Sequence, residues 1–319
     1  MTVHHLEPEA GTLHGQYAAH LPPALTVRSG DVVQCRTLDV AWSDQARAAD
    51  GSRPVFGPRV SPRDDGPALL GPIAVEGARP GMILEVQLRR IVPGAHGWTS
   101  AGELGPLNAA VAQALGVGGV PPRLLRWSID RSRGLATSDG GWRVRLRPFL
   151  GMIGVCPGGE GWFDGWTPRH CGGNLDCREL IEGTTISFPV EVPGALLSLG
   201  DGHAAQGDGE VAGSALECGF DLVELGLSLR DATPLEARGR RVRAVTPEGI
   251  LAIGVGTTLD DAANDALRDM LDLLEETHGI DRHAALGLAS VAAHLRVSQI
   301  ANGVRGAHVL LPHQALERI

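Results

Sequence analysis

Glycine and proline recur roughly every 8–12 residues along most of the first 255 positions, and this punctuation restricts what the chain can build. The sequence holds 44 glycines and 21 prolines in 319 residues. Neither residue suits a helix interior, because glycine costs backbone entropy and proline lacks the amide donor. Short strands joined by turns tolerate both. The spacing therefore predicts a β-sandwich or barrel-like core. Val27–Val33 and Met82–Leu88 read as strand-and-turn segments, and Trp142–Arg147 alternates apolar and polar residues as a half-buried strand should. Leu104–Leu115 holds at most a short helix, bounded by Pro106 and Gly116. Residues 43–66 are rich in Ser, Asp, Arg, Gly and Pro and read as a long loop, a kind of segment that is usually functional or disordered.

The pattern changes near residue 256. Thr258 is placed to cap a helix over about Leu259–His278, with Asp261 completing a capping box and Gly279 ending it. Ala262, Ala266, Met270 and Leu273 or Leu274 mark its buried face. Asp281 is placed to cap a second helix through about His294. Leu295–Ile300 then returns to a strand, and Asn302-Gly303 reads as a turn. The expected fold is thus β-rich over residues 1–255, with an α/β portion of two helices plus strands over 256–319. No stretch between them has the composition of a free linker, so residues 1–319 read as one unit.

Composition excludes several function classes. All 28 basic residues are arginine. A chain without lysine cannot form a Schiff base, carry pyridoxal phosphate, use a P-loop or run a Ser-Lys or Cys-Lys nucleophile system. The net charge of −9 argues against a nucleic-acid partner. No apolar run is long enough to span a membrane, and no basic-then-apolar segment opens the chain, so it reads as cytoplasmic. Cys35, Cys156, Cys171, Cys177 and Cys218 are odd in number and match no zinc-ribbon or disulfide framework, which reads as free thiols in a reducing compartment.

The chemistry concentrates in residues 199–213. Two Gly-Asp-Gly-X units lie seven residues apart and end in His203 and Glu210. Asp201, His203, Asp208 and Glu210 are separated only by Gly, Ala and Gln. Such a density of ligand-capable and proton-transferring groups points to a metal or acid–base site; a pair of Asp-Gly turns is the plainer alternative. Upstream, Gly172-Gly173-Asn174-Leu175-Asp176 presents an amide and a carboxylate two residues apart, on one face of an extended segment, though an Asx-turn explains that pattern as well. Glu217 lies between Leu216 and Cys218 in an apolar run, where an acid is either paired, functional or simply exposed. Together Asp176, His203 and Glu217 offer one imidazole and two carboxylates, a plausible set for a divalent ion with a position left for water. Asp201, Asp208 and Glu210 remain as supporting groups or as the general base. Calcium bound at Asp-Gly turns without catalysis is a further reading, but calcium sites seldom use imidazole. His308 is a weaker candidate, lining the site or simply buried.

Several segments in order resemble the acetamidase/formamidase family. These are Gly71–Gly81, the Gly172–Asp176 turn, Val192–Leu196 followed by Gly200–Glu210, and Gly287–Val291 through Asn302-Gly303 and Gly306–His308. The resemblance implies an acetamidase/formamidase-like, β-rich fold over the whole chain and hydrolysis of a short aliphatic amide, formamide or acetamide, to the carboxylic acid and ammonia. It also implies a divalent metal, with zinc the first expectation and calcium the second, and a homo-oligomer whose partner is a small-molecule amide. On this reading Asp176, His203 and Glu217 hold the ion, Glu210 or Asp201 takes the proton of water, and Asn174 orients the amide. Metal-activated water also suits a chain without lysine. One departure from the resemblance stands out: relatives often carry a His shortly before the Gly-Pro-Ile segment, where this chain has Pro67 near that place, and Asp64 or Asp65 is the acid that could substitute. That departure favours a rival reading, a catalytically altered member that binds a small ligand in the same cleft.

Overall fold

A computed structural model describes residues 1–239 and 241–317 of the chain. Strands dominate and fall into two large sheets. The nine-stranded sheet runs, edge to edge, Val3–Leu6, Val32–Thr37, Phe220–Asp231, Met82–Pro93, Thr185–Pro189, Arg243–Val245, Gly249–Gly256, Arg305–Pro312 and His294–Gln299. The eleven-stranded sheet follows the path Arg143–Arg145, Leu135–Ser138, Arg123–Asp130, His96–Ala101, Glu217–Cys218, Leu197–His203, Phe149–Gly154 and Gly172–Asn174. Leu69–Val75 also pairs with Leu197–His203 and carries Leu13–His14 and Leu25–Val27.

Alternation places the core between the sheets. In Met82–Pro93, Leu84, Val86 and Leu88 are fully buried while Gln87 faces out. They join one apolar cluster with Leu150, Ile153, Leu197 and Leu199 of the second sheet. Every residue of Leu197–His203 is buried, including Asp201 and His203. This strand lies inside the sheet, so its polar side chains are held away from the outer surface, and Asp201 meets only the cavity described below.

The C-terminal helix, Leu259–His278, forms as its local signals dictate. Thr258 accepts the Asp261 amide, Asp261 returns the bond, and Gly279 closes the helix in the left-handed conformation at φ 61°. Ala262, Ala266, Met270 and Leu274 pack it onto Gly249–Gly256 and Arg305–Pro312. Asp281 caps the next helix, Arg282–Ala292, which stops two residues before His294 because His294 already pairs with Leu310 in the sheet.

Other expectations need adjustment. The segment 142–147 yields only the edge strand Arg143–Arg145, and Trp142 lies before it, 74% exposed. The helix within 104–115 is confined to Ala109–Ala114. A short helix, Pro234–Gly239, interrupts the part read as strands and turns. Residues 43–66 contain no helix or strand, as their composition suggests. The five cysteines are buried free thiols. No described helix is long and apolar enough to cross a membrane.

Candidate metal and acid–base site

Sheet register brings the acids together. His203 stands opposite Glu217 on one neighbouring strand and opposite Phe149 on the other. Asn174 pairs with Met152 on the far side of the Phe149–Gly154 strand. Gly151 lies between, and its carbonyl accepts the amides of Leu175 at 3.0 Å and Asp176 at 3.1 Å. A Cβ on Gly151 would stand 2.6 Å from His203 Cε1, 2.7 Å from Asp201 Oδ2 and 2.9 Å from Asp176 Oδ1. Only glycine leaves room for three functional side chains to meet over this strand.

Asp176, Asp201, His203, Glu210 and Glu217 are all buried, and they converge as two groups that share His203. Asp201 and Glu217 form one group with the imidazole; Asp176 and Glu210 form the other. His203 Nε2 lies 3.1 Å from Asp201 Oδ1 and 3.2 Å from Glu217 Oε2. Yet all three atoms lack an aligned hydrogen-bond partner, as does His203 Nδ1. Donors that approach one another without bonding are the arrangement expected around a common cation. A tetrahedral ion bound at about 2.0–2.2 Å spaces its ligands about 3.3–3.6 Å apart, close to the separations seen here. The donor set, imidazole plus carboxylate, fits a borderline divalent ion such as zinc.

Supporting contacts fix the acids from behind. Ala215 donates its amide to Glu217 Oε1 at 2.7 Å. Asn302 Nδ2 donates to Asp176 Oδ2 at 2.5 Å, and Gln206 Nε2 donates to the Asp176 carbonyl at 2.8 Å. Asp176, Asp201 and Glu210 all hold left-handed backbones, at φ 47°, 52° and 42°. Such positions cost about 1–3 kcal/mol each and persist where the surrounding structure over-determines them, which is common at functional sites. Asp accepts this conformation more readily than Glu, so Glu210 is the costlier of these placements.

Electrostatics follow from burial and crowding. Burial pushes the Asp176 carboxyl up to about 7 and Glu217 up to about 8, against the pull of His203. Glu210 is raised well above the usual carboxylate range, by burial first and then by Asp176 beside it. Burial alone would lower His203, but Asp201 and Glu217 outweigh it and hold the imidazole well above its ordinary value. Asp201 is the one carboxyl of the set that is lowered: burial is the strongest single influence and raises it, and the charge and proximity of His203, with Glu217, together outweigh that burial.

The six residues expected in the site therefore share one locality, with a different partition. Asp201, expected as a base, stands beside His203 Nε2 with Glu217, while Asp176, expected with them, stands with Glu210. Asn174 lines the same cavity; its amide nitrogen donates to the Trp166 carbonyl at 3.1 Å, and its buried Oδ1 has no partner. Asp208 is exposed, 3.7 Å from Arg178, and lies outside the cluster. Asp64 is bound to Arg63 and the Val60 amide, and Asp65 to Ser61, and neither lines the cavity. His308 is fully buried, with Nδ1 2.8 Å from Ser298 Oγ and Nε2 3.1 Å from Glu179, and does not line the cavity. Sequence reasoning missed Asn302, taken as a turn residue, and Gly151, whose role arises only from the pairing of distant strands.

The comparisons with known proteins point the same way. Residues 164–316, which include all five clustered residues, match the model of the Acetamidase/Formamidase family. An acetamidase of Mycolicibacterium smegmatis is 27% identical over 318 aligned positions, covering 79% of this chain and 75% of that protein. A formamidase of Methylophilus methylotrophus is 42% identical over 62 residues, 19% of this chain and 15% of its own. The crystal structure of a predicted acetamidase/formamidase from Thermoanaerobacter tengcongensis superposes with a TM-score of 0.82 at 27% identity, over 98% of this chain and 96% of that one. An acetamidase from Bacillus halodurans gives 0.81 at 29%, over 97% of each.

Proposed function

We propose a reading that starts from kinship: the chain belongs to the acetamidase/formamidase family, and it hydrolyses the C–N bond of an amide, giving a carboxylate and ammonia. The observation that carries the reading is the set of unpartnered atoms, His203 Nε2, Asp201 Oδ1 and Glu217 Oε2, gathered beside a cavity that Asp176, Asp201, Glu210 and Glu217 line. His203, Asp201 and Glu217 would hold a divalent ion, zinc first, with Asp176 adjoining. When bound, such an ion supplies Lewis-acid polarisation of the amide oxygen and lowers the pKa of water.

The remaining steps belong to the chain. Asn174 Oδ1 accepts an N–H of the substrate amide and turns its carbonyl carbon toward the acids. Glu210 takes a proton from the attacking water and returns it to the leaving nitrogen, a task suited to a carboxyl whose proton affinity burial has raised. Asn302 positions Asp176, and Ala215 positions Glu217.

Chelator-treated protein, verified metal-free by elemental analysis, is assayed for ammonia release from a panel of amides and then reconstituted with zinc. Loss and recovery of turnover are expected. Full turnover by metal-free protein rejects the cation, and no ammonia from any amide with metal-loaded protein rejects the hydrolase.

A further inference from the structure

The cavity above the acids is far larger than a formamide or acetamide needs, and its wall is aromatic. It encloses about 670 Å³. Acetamide has four heavy atoms and fills about 100 Å³, three to four waters at ~30 Å³ each. The cavity falls instead within the ~300–1,000 Å³ range of sites that bury drug-sized molecules. Trp42, Trp98 and Trp166 line it with Val40, Leu104, Leu107 and Arg59, whose guanidinium lies 5.3 Å from the Trp42 ring; Trp98 stands opposite Glu217 in the sheet, and Asn174 and the carboxylates complete the lining. The chain has only six tryptophans, so half of them meet here.

The tryptophans are committed to this wall. Trp98 Nε1 donates to Asp39 at 2.7 Å and Trp42 Nε1 to the Gly66 carbonyl at 2.8 Å, so neither indole N–H needs a partner from a ligand. Trp42 holds φ 61°, a left-handed backbone that a bulky side chain rarely adopts. Its amide donates to Asp39 and its carbonyl accepts from Phe56, which pins that conformation. Trp166 carries the carbonyl that anchors Asn174, coupling the aromatic wall to the residue that faces the substrate amide.

Resting on the amide-hydrolase reading, we infer that the substrate is an amide whose acyl group carries an aromatic ring or an apolar group of that size, seated among Trp42, Trp98 and Trp166. The reacting amide then lies against Asn174 and the acids, and the apolar portion displaces water from the tryptophan wall.

The test compares metal-loaded protein on acetamide, benzamide and phenylacetamide, with Trp166→Ala and Leu107→Ala beside the parent. Both side chains are partly exposed, at 37% and 47%, so truncation spares the core. A kcat/KM for one of the aryl amides at least tenfold above that for acetamide is expected, and the ratio should fall at least threefold in each variant. Acetamide as the better substrate overturns the inference and leaves the hydrolase intact, as does an aryl preference that neither variant reduces. If no amide is hydrolysed, binding decides. Saturable quenching of tryptophan fluorescence by phenylacetamide, weakened in Trp166→Ala, supports an aryl-sized ligand; no quenching overturns it.

Discussion

On the helix Leu259–His278, Asp269 is fully buried and takes two hydrogen bonds from Arg243, at 2.7 and 2.9 Å. On the strand Leu197–His203, Asp201 is nearly as deeply buried, at 4% exposure, and its Oδ1 has no aligned donor. Among the described residues no arginine pairs with Asp176, Asp201, Glu210 or Glu217; beyond one another, they meet one imidazole, an amide side chain and a backbone N–H. A buried carboxylate without a full partner is costly, and a fold that needed only stability would satisfy or replace it. Asp269 shows that this chain can supply a fitting cation from its own residues. The four site acids share a single imidazole, His203, so the chain's own positive charge does not match theirs, as a cluster that also holds a bound ion and a moving proton requires.

The largest expected effect tests the reserved cluster. Glu210→Gln keeps the size of the side chain and one acceptor oxygen but removes the proton-accepting charge. Turnover should fall roughly 10²–10⁴-fold, the usual contribution of a general base, with folding and metal content unchanged. Unchanged turnover would move the proton-transfer role to another acid. Loss of metal with the activity would make Glu210 a ligand.

The second effect sets the two carboxylates against each other directly. Asp269→Asn leaves the 9%-exposed Arg243 without its counter-charge, so urea unfolding should show a loss of about 3–5 kcal/mol. Asp201→Asn, measured with a chelator present, should cost less than this, because the His203 imidazole that holds Asp201 ionised keeps Glu217 as a second carboxylate at 3.2 Å. Equal losses in both variants would erase the distinction and make Asp201 a structural acid like Asp269.

The helical region was legible and the site only partly so, for a physical reason. Thr258, Asp261 and Gly279 act within a turn of one another, so their consequences can be read along the chain. Asp269 was not legible as a buried residue, because its partner Arg243 lies 26 positions away. In the site, His203, Glu210 and Glu217 stood out by residue type against a background of Gly and Ala. The partition did not. The rule that places residues i and i+2 on one face was applied to Asn174 and Asp176, and it applies equally to Asp201 and His203. Asn302, Gly151 and the tryptophan wall are products of strand pairing and loop packing, and single-chain patterns carry no record of those.

A smaller effect separates a buried titratable group with neutral partners from the charged cluster. His14 is 2% exposed, 2.8 Å from the Gln16 carbonyl through Nδ1 and 2.9 Å from Ser198 Oγ through Nε2. Burial lowers its pKa from 6.5 to about 4, and the Gln16 bond opposes this only in part. The folded chain therefore refuses a proton that the unfolded chain accepts between pH 6.5 and 4. Stability is intact above pH 6.5 and declines as the pH falls toward 4, by about 1.4 kcal/mol per unit at most. On that window His14→Gln should show a shallower decline than the parent in urea titrations at matched pH. Parallel slopes would mean that His14 is protonated in the fold as readily as in the unfolded chain.

The smallest effect probes the helix that supplies Asp269. Thr258 accepts the Asp261 amide at 3.1 Å and donates to its carboxylate at 2.8 Å, while the Thr258 amide donates to the same carboxylate at 3.3 Å. Thr258→Ala removes the hydroxyl and with it two of the three bonds, leaving N-terminal amides of the helix to water. Caps of this kind contribute about 1 kcal/mol. The loss should appear in unfolding and not in turnover, because this helix packs on the strands Gly249–Gly256 and Arg305–Pro312, and none of its residues lines the cavity. A drop in turnover with intact folding would show that the helix end and the acid cluster communicate. The contrast between a region built for stability and one held for chemistry would then have to be redrawn as one coupled unit.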